Sequence, residues 1–160
     1  MIPALIVDLL DKVEREEILE EILTDSDKVE DLLVTGNVTS IYDPEYLDSY
    51  LDAFIPAVEK ILERKVKPMY SYVRIHHNGS ELQPHIDREE VHYSLSVPIR
   101  FDDPWTICFQ PPDTEDNHYE CGSIPVGHGL LFTGNEYRHA RPAFQGEEYV
   151  LAMFMYCDAT

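Results

Sequence analysis

A change of hydrophobic period near Met69 constrains the fold of this chain more than any other feature. Before it, apolar residues recur at helical spacing. In DLLDKVEREEILEEIL, Leu9, Leu10, Val13, Ile18, Leu19, Ile22 and Leu23 keep a helical repeat with the glutamates mainly between them, which predicts one amphipathic helix. A second helical stretch is expected from about Pro44 to Glu63. It opens with Asp43-Pro44 and carries Tyr46, Leu47, Tyr50, Leu51, Phe54, Val58, Ile61 and Leu62. Pro56 lacks an N–H for the helix ladder and must kink or divide it. From Met69 the chain turns to strands. Met69–His76 is rich in β-branched and aromatic residues and stops at the turn signal Asn78-Gly79. Further strands are expected at about His92–Phe101, Trp105–Phe109, Ser123–Pro125, Gly129–Phe132, Arg138–Arg141 and Glu148–Cys157. Helices first and strands afterwards predict an α+β domain, with helices packed on an antiparallel sandwich or barrel.

The 160 residues suit one domain, with 1–66 as mainly helical support and 67–160 as the barrel core. Twelve basic residues against thirty-one acidic ones give a formal net charge of −19. Such a chain repels phosphate backbones and anionic membrane surfaces, so neither nucleic acid nor membrane is an expected partner. No signal-peptide pattern and no apolar run of roughly 18 residues is present, and a cytosolic location is expected. Cys108, Cys121 and Cys157 are odd in number, widely spaced and without a CxxC pair, and read as reduced thiols. The acidic segment PPDTEDNHYECG, from Pro111 to Gly122, reads as a long connection, either a lid or a disordered loop.

Two short stretches carry the chemistry: His85-Ile86-Asp87 and His139-Ala140-Arg141. Together they hold two imidazoles and one carboxylate, a set that can occupy one face of an octahedral non-haem iron(II) and leave other positions open. Residues two apart in an extended chain share a face, so His85 and Asp87 are expected to reach one metal from the start of a single strand. His139, on a later strand, would supply the third ligand. An HxD triplet alone is common by chance. The preceding YVRI strand, the Gly-containing turn and the strand-borne second histidine give it weight.

The order of the YVRI strand, the NG turn, HID, the YSLSVPI strand, GHGLLF, His139 and the terminal YVLAMFMY strand resembles the iron(II)- and 2-oxoglutarate-dependent oxygenases, over about Tyr70 to Tyr156. The resemblance implies a double-stranded β-helix, a jelly-roll or cupin-like barrel buttressed by helices, with His85, Asp87 and His139 as iron ligands at its mouth. It implies chelation of iron by the 2-oxoacid end of 2-oxoglutarate, oxygen at another position, decarboxylation to succinate and oxidation of a substrate C–H bond. Hydroxylation is the commonest outcome in that family, and retention of Asp87 disfavours halogenation.

The chain departs from the family at one point. The cation that usually holds the remote carboxylate of 2-oxoglutarate comes from the last core strand, where this sequence has Glu148, Tyr149 and Val150. A buried carboxylate needs a partner. Arg141, two residues beyond His139, is the first candidate because its planar fork suits a carboxylate. Arg74 is the second, with Tyr72 beside it for cosubstrate binding, and Arg100 is the third. A salt bridge at the surface or barrel end is the alternative role for each arginine. His92, His118 and His128 lack paired ligand spacing, and Trp105 reads as core. The leading expectation is an iron(II)/2-oxoglutarate dioxygenase hydroxylating a neutral or cationic small molecule, or an amino-acid or protein side chain. The alternatives are a non-catalytic binding barrel and a cupin-like metalloenzyme that does not use 2-oxoglutarate. Oligomeric state is not legible.

Overall fold

Residues 148–158 read EYVLAMFMYCD, and a strand so continuously apolar has to be covered on both faces. In the computed structural model, which describes residues 3–30, 37–114 and 118–159, both faces are covered. The elements in chain order are β1 (Ala4–Ile6), α1 (Lys12–Thr24), β2 (Val29–Glu30), β3 (Val38–Tyr42), a 3-10 turn (Glu45–Leu47), α2 (Asp48–Ala53), α3 (Ile55–Leu62), β4 (Val66–His77), β5 (Leu82–His85), β6 (Tyr93–Phe101), β7 (Thr106–Gln110), β8 (Glu120–Ser123), β9 (Gly129–Phe132), β10 (Arg138–Arg141) and β11 (Glu148–Asp158). A seven-stranded sheet runs β1-β9-β6-β11-β4-β3-β2 and a four-stranded sheet runs β5-β10-β7-β8. The larger sheet carries a core on each face. Val150, Ala152, Phe154 and Tyr156 of β11 join Ile18, Ile22, Leu51, Phe54 and Val58 from the helices. Tyr149, Leu151, Met153 and Met155 join Trp105, Ile107, Phe109 and Phe132 on the other side. The fold is the expected α+β double-stranded β-helix, with two facing antiparallel sheets that do not close into a barrel.

The helices follow local chemistry. Asp11 accepts from the Glu14 backbone N–H at 2.8 Å, and the Glu14 side chain accepts from the Asp11 N–H at 3.0 Å. That reciprocal capping box starts α1 three residues later than the hydrophobic pattern suggested. Ile18 and Ile22 bury one face, while Val13 and Leu23 are 61% and 60% exposed. The second helical stretch is divided as Pro56 requires: α2 ends at Ala53, and Pro56 sits in the first turn of α3.

Residues 1–66 hold strands beside the helices: β1, β2 and β3 extend the larger sheet at both ends, with β3 paired along β4. The Val38–Tyr42 segment has strand chemistry that its shortness obscured. Two expectations need correction. The long acidic connection is shorter than expected, since Glu120–Ser123 forms β8 against β7; residues 115–117 of that segment lie outside the described residues. Cys108 and Cys121 are not reduced thiols. Antiparallel pairing of β7 with β8 sets them directly opposite one another and they form a disulfide, leaving Cys157 free. Among the described residues, no helix is long and apolar enough to cross a membrane.

Candidate metal centre and adjoining cleft

Antiparallel pairing of β10 with β5 sets His139 opposite His85. Their ring centroids lie 4.4 Å apart. Asp87 arrives differently from the single-strand placement expected. His85 is the last residue of β5, and Asp87 lies beyond it in the following loop, where its N–H donates to the Gly134 carbonyl at 2.8 Å. That contact turns the carboxylate back toward the imidazoles. Asp87 Oδ1 is 3.5 Å from Nε2 of both His85 and His139. One ligand atom from each of the three residues lies within 4.8 Å of the other two.

The surrounding contacts prepare these atoms. His85 Nδ1 is 2.8 Å from the Gln83 carbonyl, and His139 Nδ1 is 2.9 Å from the Tyr137 carbonyl. A carbonyl only accepts, so each Nδ1 carries a hydrogen and each Nε2 faces the shared centre, where it donates to Asp87 as N–H or, once that proton leaves, offers its lone pair to a metal. Ser94 Oγ donates to Asp87 Oδ2 at 2.9 Å, which leaves Oδ1 facing the histidines. Burial pushes the Asp87 carboxyl up, but hydrogen bonding with His139 and His85 outweighs it and holds the group well below the usual carboxylate range. Two imidazole nitrogens and one carboxylate oxygen, aimed at one point, are the donor set for a divalent metal such as iron(II).

Behind this cluster lies a cavity of about 40 Å³, lined by Ile107, Phe132, Leu151 and Met153 together with Arg141, Arg74 and Tyr72. It adjoins an outer cavity of about 600 Å³, with which it shares Tyr72, Arg74, Leu82, His85 and Asp87. Arg141 is only 4% exposed. Its Nη1 donates to the Trp105 carbonyl at 3.2 Å, and its guanidinium carbon lies 4.8 Å from the Trp105 ring centre and 5.5 Å from that of Tyr149. Among the described residues its Nη2 makes no hydrogen bond of ordinary geometry, although the neighbouring Tyr149 hydroxyl acts on the guanidinium, and Ser96 Oγ on the same cavity is likewise unpartnered. Burial pulls the Arg141 guanidinium down from its ordinary value, with no carboxylate among the described residues acting on it. Arg74 lies over the Tyr72 ring at 4.9 Å. Burial pushes the Tyr72 phenol up to about 12, so it stays a neutral hydroxyl.

Other residues fall away from the cleft. Arg100 is exposed and paired with Glu148. His92 accepts from the Asp158 N–H and His128 from the Asp8 N–H, while His118 is exposed. Trp105 is core, yet it also forms the floor under Arg141. Sequence reasoning missed Ser94, Ser96 and Gly134. The serines alternate with Tyr93, Leu95 and Val97, which face the helices, so polar residues on the inner face of a buried strand were a readable signal. Gly134 had none: a Cβ there would fall 1.8 Å from Asp87 Oδ2, a constraint that exists only once the loops meet.

No known family profile matches the chain, and no curated protein matches it. Solved structures do. An oxidoreductase of the 2OG-Fe(II) oxygenase family from Burkholderia pseudomallei superposes with a TM-score of 0.77 at 10% identity, covering 92% of this chain and 80% of that one. The α-ketoglutarate-dependent non-haem epimerase SnoN of nogalamycin biosynthesis gives 0.75 at 15% identity, covering 98% and 78%. The viral collagen prolyl hydroxylase vCPH of Paramecium bursaria Chlorella virus-1, in its 2OG complex, gives 0.70 at 12% identity, covering 98% and 96%. This chain therefore has the fold of the 2-oxoglutarate/iron(II) oxygenases, a fold on which both hydroxylation and epimerisation occur.

Proposed function

We propose that this protein is an iron(II)- and 2-oxoglutarate-dependent dioxygenase that hydroxylates a small molecule or an amino-acid side chain. One observation carries the reading: three ligand atoms converge beside a cavity lined by a buried arginine and a serine, each carrying a polar atom unpartnered among the described residues. His85, Asp87 and His139 would hold the metal, with their Nε2 and Oδ1 atoms already presented. When bound, iron(II) with 2-oxoglutarate and oxygen supplies the oxidising power that turns a C–H bond into C–OH, while 2-oxoglutarate leaves as succinate and carbon dioxide. Arg141 Nη2 and Ser96 Oγ are the donors for the remote carboxylate, which substitutes for the cation absent at Glu148, Tyr149 and Val150. Tyr72 remains a neutral donor beside the same cleft. Ile107, Phe132, Leu151 and Met153 exclude water around these groups and strengthen the interaction.

A second reading rests on size. At about 40 Å³ the inner cavity has room for water-sized occupants, which suits a metalloenzyme of cupin-like architecture without a dicarboxylate cosubstrate. Supplied with iron(II), oxygen and a reductant, the protein is expected to release succinate from 2-oxoglutarate. Arg141→Ala is expected to weaken 2-oxoglutarate binding at least tenfold, about 1.4 kcal/mol, with metal affinity little changed. Arg141→Lys should restore part of it, since an ammonium keeps charge but loses the fork. Loss of binding in Arg74→Ala but not in Arg141→Ala would move the carboxylate to Arg74. No effect of either substitution on calorimetric titration would remove both arginines as partners of the carboxylate, whereas a parent protein that neither binds 2-oxoglutarate nor releases succinate would favour the second reading.

A further inference from the structure

The outer cavity has a local charge opposite to that of the molecule. The chain carries −19 overall, yet among the described residues the cavity lining contains Arg74 and Arg88 and one acid, Asp87. Asp87 faces the two histidines and Ser94, so its charge is directed toward the metal centre rather than into the open cleft. The same cavity has an aromatic wall. The Tyr70 and Tyr72 rings stack at 6.3 Å with an interplanar angle of 27°, and Tyr42 continues the row at 6.1 Å from Tyr72.

Arg88 completes this wall. It follows Asp87 directly in sequence, and its Nη2 donates to Tyr70 Oη at 2.6 Å. One of five N–H donors is thereby used to position an exposed guanidinium at the rim. Glu90 acts on Arg88 electrostatically but does not line the cavity.

Resting on the oxygenase reading above, we infer that the substrate is an organic anion, a carboxylate with a flat or apolar body, whose charge docks on Arg88 while the body lies along Tyr70 and Tyr72. This reverses the neutral or cationic substrate that whole-chain charge implied. The field inside a cleft is set by its nearest charges, and solvent screens the distant acids at about 8 Å in physiological salt. Arg88 is separate from Arg141, which lines the inner cavity and not the outer one, so substrate and cosubstrate carboxylates have different partners.

The test uses three probes with one body and different charge: 3-phenylpropanoate, 3-phenylpropanamide and 3-phenylpropylamine. Each is titrated into the full chain by calorimetry at one ionic strength. The carboxylate is expected to bind at least tenfold tighter than the amide, and the amine more weakly than either. Arg88→Gln should erase the preference for the carboxylate over the amide, Arg88→Lys should keep part of it, and Tyr70→Leu should weaken all three probes. An amine that binds as well as the carboxylate overturns the inference, as does a preference that survives Arg88→Gln. Titration needs no turnover, so the two readings fail separately: a lost anion preference with succinate release intact refutes only this one. Absent succinate release with the preference intact refutes only the oxygenase.

Discussion

Asp87 and Arg141 show how single residues in this cleft trade stability for readiness. Asp87 is held by the Gly134 carbonyl at its backbone and by Ser94 at its side chain, with no room for a Cβ at position 134. Gly134→Ala is expected to displace the carboxylate and lower divalent-metal affinity by about 10- to 100-fold, the usual cost of disturbing a ligand's support, while the protein still folds. Titration with cobalt(II), followed by absorbance, checks this; unchanged affinity would remove Gly134 from the site. Arg141 presents the opposite case, a buried cation stacked between aromatic rings without a carboxylate partner among the described residues. A charge so placed does little for stability, and replacing buried charges with apolar side chains is often neutral or stabilising. Arg141→Met is therefore expected to keep the unfolding free energy within about 1 kcal/mol of the parent in chemical denaturation, even as 2-oxoglutarate binding is lost. A large destabilisation would make Arg141 a structural residue.

At the scale of elements, the four-stranded sheet builds the site and β8 protects its edge. His139 lies on β10, between β5 with His85 and β7 with Phe109, so both histidines depend on that sheet's register. The Cys108–Cys121 bond ties β8 to β7 across a sequence separation of 13 residues. Closing a loop of that size contributes about 3 kcal/mol by restricting the unfolded chain. The double substitution Cys108→Ser, Cys121→Ser is expected to lower Tm by roughly 5 to 10 °C in calorimetry. Mass spectrometry without reductant should find one disulfide and one free thiol at Cys157. A fully reduced protein with an unchanged Tm would show that β8 needs no tether. The bond also bears on location, because disulfides persist mainly in oxidising compartments, against the cytosolic expectation.

Over the whole molecule, charge of one sign dominates. Thirty-one acidic residues repel one another across a chain of this size, and that repulsion favours expansion. The ion pairs at the surface, such as Lys12–Glu16 at 3.9 Å and Lys65–Glu59 at 2.8 Å, offset little of it. Raising sodium chloride from low concentration to about 0.5 M is expected to increase Tm by a few degrees, since screening weakens the repulsion more than it weakens the few attractions. A Tm that falls with salt would show that favourable pairs outweigh the excess negative charge.

How much of this was legible depended on the range over which each feature is decided. The helix at α1, the break at Pro56, the strands at Gly129–Phe132 and Arg138–Arg141 and the two-residue spacing of His85 and Asp87 rest on interactions between near neighbours in the chain, and a sequence displays those directly. The departure at Glu148, Tyr149 and Val150 was equally plain, because an absent cation needs no coordinates. Strand pairing decided the rest. Only the pairing of β7 with β8 makes partners of Cys108 and Cys121, and only the meeting of the Asp87 and Gly134 loops excludes a side chain at 134. Likewise the positive rim formed by Arg88 beside Tyr70 is hidden by a composition of −19, since composition sums charge over the molecule whereas a bound ligand responds to the few groups nearest it.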